Sequence, residues 1–293
     1  MSFNTISQSD LDKAIDQHEK WLKHKRGGKM LKLDNYDLTG RDFSNHNLSH
    51  ASLQDSIIDD ADFTDCSLND VAFANSRLRR ASFHSAECTD CDFENTDCTK
   101  CDFTMANLSS AHLENTDCTE CDFTMANLSS AHLENTCFFL SSFSQTNLTN
   151  AMAHGADFRE CDFVNCELEG LHADEDTVGY FLVCPEKGEF TAFKKAELYG
   201  GDELVIVELK VPASALRSSA CSRKCRVSKA KVVSITSLDG KKKYKQNAYS
   251  MYASSFAYKL GSTVEVKNFD KNRWNECSSG IHCFMTRNEA VNY

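Results

Sequence analysis

Counted in steps of five from Leu33, the chain carries an apolar or thiol side chain at every position through Leu168, 28 positions in all. Phenylalanine takes 43, 63, 83, 103, 123, 143 and 163, one every twenty residues. Two residues before each of these positions stands a second, mostly small set, including Ala61, Cys66, Ser76, Ala81 and Cys101. The other three positions of each five are dominated by Asp, Asn, Ser, Thr and Glu. A helix repeats every 3.6 residues and a strand every two, so neither yields a five-residue period with two inward positions. A square coil does. One pentapeptide forms each side, the large residue fills the middle, and the small one lets adjacent walls approach. Four pentapeptides per turn predict about seven turns, stacked about 4.8 Å apart as neighbouring strands are, over roughly 34 Å. Residues 97–116 and 117–136 are identical except that Lys100 becomes Glu120, so one whole turn is duplicated. A solenoid accepts such an insertion because each turn touches only its neighbours.

The flanks follow other patterns. Leu11, Ala14, Ile15, His18, Trp21 and Leu22 share one helical face, with Ser9 as the expected cap and Gly27-Gly28 as the stop. Such a helix closes the first turn of the coil, whose end would otherwise expose unpaired backbone. After Leu168 the register ends, and 170–179 reads as a junction. Beyond it the alternation predicts strands at 180–184, 203–209, 230–235, 263–266 and 281–285, with short helices at 250–258 and 287–293. The expected division is a capping helix at 1–30, a mainly β solenoid at 31–170, and a separate small β-rich (α+β) domain at 171–293.

The triplets Ala61-Asp62-Phe63, Ala106-Asn107-Leu108, Ala126-Asn127-Leu128 and Ala156-Asp157-Phe158 resemble the A(D/N)LXX pattern of the pentapeptide-repeat family. That resemblance covers 31–170 and implies a right-handed quadrilateral β-helix. Residues 223–230, Phe256-Ala257-Tyr258 with Gly261, and 276–287 resemble an uncharacterised domain that follows such repeats in some phage and large-DNA-virus proteins. This second resemblance implies a domain boundary and a viral setting, and no activity.

Composition narrows the class. The net charge is −11, no apolar run reaches membrane-spanning length, and the first residues do not read as a signal peptide. Fifteen cysteines in such a chain fit a reducing compartment, the cytoplasm of a cell or of a viral host. Charge is sharply divided: 31–170 hold 25 Asp and Glu against 7 Lys and Arg, whereas 171–293 hold 14 against 19.

Several motifs suggest chemistry. Cys98-x-x-Cys101 followed by Cys118-x-x-Cys121 has zinc-ribbon spacing. The coil explains it more simply, since an inward position and the next small one are always three apart and a turn is twenty. The Asn-x-Ser/Thr sequons at Asn47, Asn107, Asn127 and Asn147 come from the same repeat. In the C-terminal region, Cys221 with Cys225, and Cys277 with His282 and Cys283, are candidate metal or thiol sites. Arg223, Lys224 and Arg226 would depress the Cys225 thiol if they lay close. The run Lys241-Lys242-Lys243-Tyr244-Lys245 is expected at a hairpin tip after Asp239-Gly240, and direct nucleic-acid binding is not expected of it.

Stacking places Asp42, Asp62, Asp102, Asp122 and Asp162 in one outward column and Glu94, Glu114 and Glu134 in another. Like charges at that spacing are costly unless screened or neutralised. Some members of the resembled family mimic duplex DNA and bind DNA gyrase, so a DNA-binding protein is one partner the resemblance implies. The favoured expectation is a non-enzymatic binding or scaffold protein: an acidic rod serves as spacer or docking face, and the C-terminal domain binds a protein partner. No cofactor, metal or membrane is expected. A small enzyme built on Cys225, Cys277 and His282 is the remaining alternative.

Overall fold

The computed structural model describes residues 3–201, 203–219, 222–273 and 277–293. The fold is mainly β with few helices, and divides into two compact units, Met1–Tyr180 and Phe181–Tyr293.

The first unit opens with β1 (Asn4–Thr5), helix α1 (Gln8–Leu22) and β2 (Tyr36–Asp37), and β1 pairs in parallel with β2. The helix cap is Ser7, not the expected Ser9: Ser7 has extended backbone and its hydroxyl accepts the Asp10 N–H at 3.2 Å. The helix also ends before Gly27. His24 turns left-handed (φ 50°) and the Lys25 N–H returns to the Lys20 carbonyl, so the chain has left the helix before the glycines. Gly28 instead lets the returning chain pass α1, because a Cβ there would lie 2.3 Å from the Trp21 nitrogen. Leu11, Ile15 and His18 are the buried face. His18 joins helix to coil: its Nδ1 accepts the Leu31 N–H (3.0 Å) and its Nε2 donates to the Ser49 carbonyl (3.1 Å). Burial holds this ring neutral by lowering its pKa.

From Lys32↔Ser52 to Met152↔His172 the backbone bridges itself in parallel at a constant offset of twenty residues. Each pentapeptide repeats one set of bonds. At Phe63, its N–H reaches the Ser82 carbonyl (2.8 Å), the Asp65 N–H reaches the His84 carbonyl (3.0 Å), and the Cys66 N–H closes the corner on Phe63 (3.2 Å). The corner requires left-handed backbone at every fifth residue, φ 57° at Asp65 for instance. That conformation favours Gly, Asn and Asp, which explains much of the polar composition; Met105, Met125 and Leu140 adopt it too, exposed at their corners.

The interior is a set of columns. Phe43, Phe63, Phe83, Phe103, Phe123, Phe143 and Phe163 stack with centroids 4.6 to 5.1 Å apart, the spacing of hydrogen-bonded strands. Neighbouring columns meet edge to face, as Phe63 and Phe73 do at 82°. The small inward positions carry a second ladder. Ser76, Cys101, Thr116, Cys121, Thr136 and Thr146 each donate from the side chain to the carbonyl 23 residues earlier, at 2.6 to 2.9 Å. Hydroxyl and thiol are interchangeable there because the site asks for a small donor. Pairing runs past Leu168 through His172, then takes in one extra residue to reach Asp157↔Val178.

The second unit contains β3 (Phe190–Leu198), β4 (Leu204–Val211), β5 (Arg217–Ser219), β6 (Lys224–Val227), β7 (Lys229–Ser237), β8 (Ala248–Ser250), β9 (Ala253–Tyr258), β10 (Thr263–Glu265), β11 (Ile281–Phe284) and α2 (Arg287–Asn292). Its antiparallel sheet has the order β10-β7-β4-β3-β11-β6-β5, with β8 pairing both β3 and β9. Two expectations are corrected. Residues 180–184 form no strand; the Val183 N–H is instead satisfied by the Ser219 hydroxyl at 2.8 Å. Residues 250–258 are not helical: β8 and β9 form a hairpin in which Ala248 opposes Tyr258, and both bury fully. Sheet alternation there overrides local helix propensity. On β3, Phe190, Ala192, Lys194, Ala196 and Leu198 all face the core.

Candidate functional site

The Asp column serves the corners first. The Oδ1 atoms of Asp42, Asp62, Asp102, Asp122 and Asp162 accept the backbone N–H two residues on, from Ser44, Thr64, Thr104, Thr124 and Val164, at 2.8 to 3.0 Å. A short side chain with an acceptor fits this role. The column is interrupted at Ser82 and Ser142, whose hydroxyls meet those of Thr64 and Thr124 at 3.0 Å. Elsewhere carboxylates are neutralised: Arg77, Arg79 and Arg80 pair with Asp59, Asp97 and Asp60 at 2.5 to 2.7 Å. In the second column Glu94 is exposed and accepts from the Asn95 amide at 3.2 Å, while Glu114 and Glu134 lie against His112 and His132.

The four cysteines of zinc-ribbon spacing are all buried in the coil, and two of them are core donors. Cys101 and Cys121 give their S–H to the Leu78 and Cys98 carbonyls at 2.8 and 2.9 Å, a task that requires the proton. At another small inward position, burial pushes the Cys66 thiol, which donates to Phe43, up to about 12.

In the second unit the three residues singled out by sequence separate into two environments. Cys225 opposes Cys283 across β6 and β11 and is fully buried. The depressed thiol expected from Arg223, Lys224 and Arg226 is corrected: the Cys184 thiol beside it and burial push Cys225 well up. Cys221 and Glu276 lie outside the described residues. Cys277 and His282 do converge, on a cavity of about 450 Å³ also lined by Lys194, Lys224, Tyr252 and Tyr258. The His282 Nε2 donates to the Ser278 carbonyl at 3.1 Å. Burial, with Lys224 and Lys194 nearby, holds its pKa down at about 4, so the ring is neutral near pH 7.

Lys194 is the residue that sequence reading missed. It is 7% exposed, on the core face of β3 between Ala192 and Ala196. Its Nζ lies 6.0 Å from the Tyr252 ring centroid, and among the described residues no Asp or Glu side chain pairs with it or lines the cavity. Burial lowers its pKa, the expected response of an ammonium without a counterion. The signal was present, as one Lys of the pair Lys194-Lys195 must point inward if Phe190 and Ala192 do; it required knowing that β3 is a strand. The cavity is thus a basic, aromatic-walled recess suited to an anionic group.

Comparison with known proteins places these units. A pentapeptide repeat region matches residues 32–100, and pentapeptide repeats (8 copies) match 101–138 and 141–171. A family of unknown function, DUF5758, matches 180–290. An uncharacterized protein of Acanthamoeba polyphaga mimivirus is 40% identical over 96 residues, 30% of this chain and 61% of that protein. Among solved structures, QnrB1, a plasmid-mediated fluoroquinolone resistance protein, has 18% identity and a TM-score of 0.45, covering 50% of this chain and 86% of its own. HetL, a pentapeptide repeat protein involved in heterocyst differentiation regulation in the cyanobacterium Nostoc, has 20% identity and a TM-score of 0.22, covering 55% and 76%.

Proposed function

We propose, from the premise that residues 32–171 are pentapeptide repeats and residues 180–290 match a family of unknown function, that the protein is a non-enzymatic scaffold. In this reading the coil is a rigid spacer or docking face, and the C-terminal domain takes an acidic side chain of a protein partner into its cavity. The supporting observation is Lys194, an ammonium 7% exposed with no carboxylate partner among the described residues. A buried charge without a partner is costly, by several kcal/mol in a dry site. A carboxylate supplied by a partner would remove that cost on binding. An enzyme is less favoured because His282 is bonded to the Ser278 carbonyl rather than to Cys277, and Cys225 is in the core. DNA mimicry is less favoured because Ser82 and Ser142 break the Asp column and three arginines neutralise part of the surface.

The test is affinity capture with the full chain beside Lys194→Met. The expected result is a protein partner held by the wild type, released by rising salt, and lost with Lys194→Met. A partner kept by that variant but lost on combined Asp102→Asn and Asp122→Asn substitution would transfer the binding face to the coil.

A further inference from the structure

We infer that His112, Glu114 and His132, with Glu134 beside them, form a binding site for a divalent first-row transition ion such as zinc. The site is a product of the duplicated turn. Copying residues 97–116 as 117–136 set His132-Leu133-Glu134 directly over His112-Leu113-Glu114, because the coil repeats at twenty residues. In each triplet the leucine points inward and its two neighbours point out, so the four polar side chains gather on one face across two turns.

The geometry is close to a ligand set. The imidazoles stack with centroids 4.7 Å apart and planes 8° from parallel. The Glu114 Oε1 lies 3.1 Å from the His112 Nδ1 and 3.9 Å from the His132 Nδ1, and the Glu134 Oε1 lies 3.8 Å from the same His132 nitrogen. One ligand atom each from His112, Glu114 and His132 fits within a 4.8 Å span. Bonds of about 2.0 to 2.2 Å from a tetrahedral zinc separate its ligands by roughly 3.3 Å, so small side-chain rotations on an open face bring the three together. A second observation points the same way. The other carboxylate oxygens, Oε2 of Glu114 and of Glu134, are inaccessible and have no hydrogen-bond partner. Carboxylates with one oxygen left unsatisfied beside two imidazoles are groups that a cation would complete. Two nitrogens and a carboxylate suit zinc, cobalt, nickel or copper more than calcium or magnesium, which favour all-oxygen sets.

The test is titration of the metal-free full chain with Zn(II) and Co(II), followed by calorimetry and by the cobalt absorption spectrum. The expected result is one ion per chain on nitrogen and oxygen ligands, without thiolate-to-cobalt charge-transfer bands. His112→Gln and His132→Gln should each weaken binding by at least about tenfold, the smallest loss expected even for an outer-shell partner. Both positions are on the surface, so the far-ultraviolet circular dichroism should not change. Cys98→Ser and Cys277→Ser should bind as the wild type does. The assignment is overturned if the wild type takes up no ion, if the His112→Gln/His132→Gln double variant binds unchanged, or if thiolate bands appear and vanish with a cysteine substitution.

Discussion

An aspartate that accepts the N–H two residues on does work that asparagine does equally well, because both present an Oδ1 acceptor. Asp122→Asn should therefore leave stability within about 0.5 kcal/mol, whereas Asp122→Ala should lose about 1 kcal/mol, as when other local side-chain caps are removed. Thermal and denaturant melts of the two variants check this, and equal losses would mean the carboxylate's charge matters more than its hydrogen bond. At His282 the sign is fixed by a lowered value. Folded, the ring titrates at about 4; unfolded, at about 6.5. The unfolded chain therefore binds the extra proton between those values. The stabilisation is complete above about pH 6.5 and is lost as pH falls toward 4. Urea midpoints measured down that range should fall further for the wild type than for His282→Gln; parallel curves would remove His282 as the cause.

Turns of the coil are separable elements. Deleting residues 117–136 removes one copy of a duplicated turn and leaves the columns in register, since Thr116 then precedes Cys137 just as Thr136 did. The shortened chain should still unfold cooperatively, with a smaller denaturant slope in proportion to the surface lost. A collapsed or molten product would show that turns depend on more than their neighbours. This element was legible in sequence because its inward positions never break register from Leu33 to Leu168. The sheet of the second unit was only partly legible. β4, β7, β10 and β11 are rich in Val, Ile and Phe and announced themselves, but β3 reads Phe-Thr-Ala-Phe-Lys-Lys-Ala-Glu-Leu, whose Ala, Lys, Glu and Leu are helix formers. Nothing local marks it as the strand joining both halves of the sheet, and Lys194 stayed hidden with it.

For the molecule as a whole, charge divides by unit. The acidic coil and the basic cavity would attract opposite kinds of surface, so rising salt should weaken both modes of association and does not by itself distinguish them. Substitution at Lys194, or at Asp102 and Asp122, does. Neither candidate face was fully visible from sequence, for different reasons. The sequence period places the Asp column on one bearing, yet its breaks at Ser82 and Ser142 are filled by hydroxyl contacts, and its hydrogen bonds to the corners appear only in three dimensions. The cavity draws on residues from β3, β6, β8, β9 and β11, which no spacing rule connects.

The constant offset of the backbone bridges gives the coil an address system. From Lys32 to His172, dividing a residue number by twenty yields a remainder that fixes the bearing of its side chain and a quotient that fixes its storey. Two residues with equal remainders stand in one vertical row, and are neighbours when their numbers differ by twenty, whatever their identity. A row of any chemistry can then be written down one bearing by choosing numbers alone, until the single extra residue before Val178 ends the arithmetic.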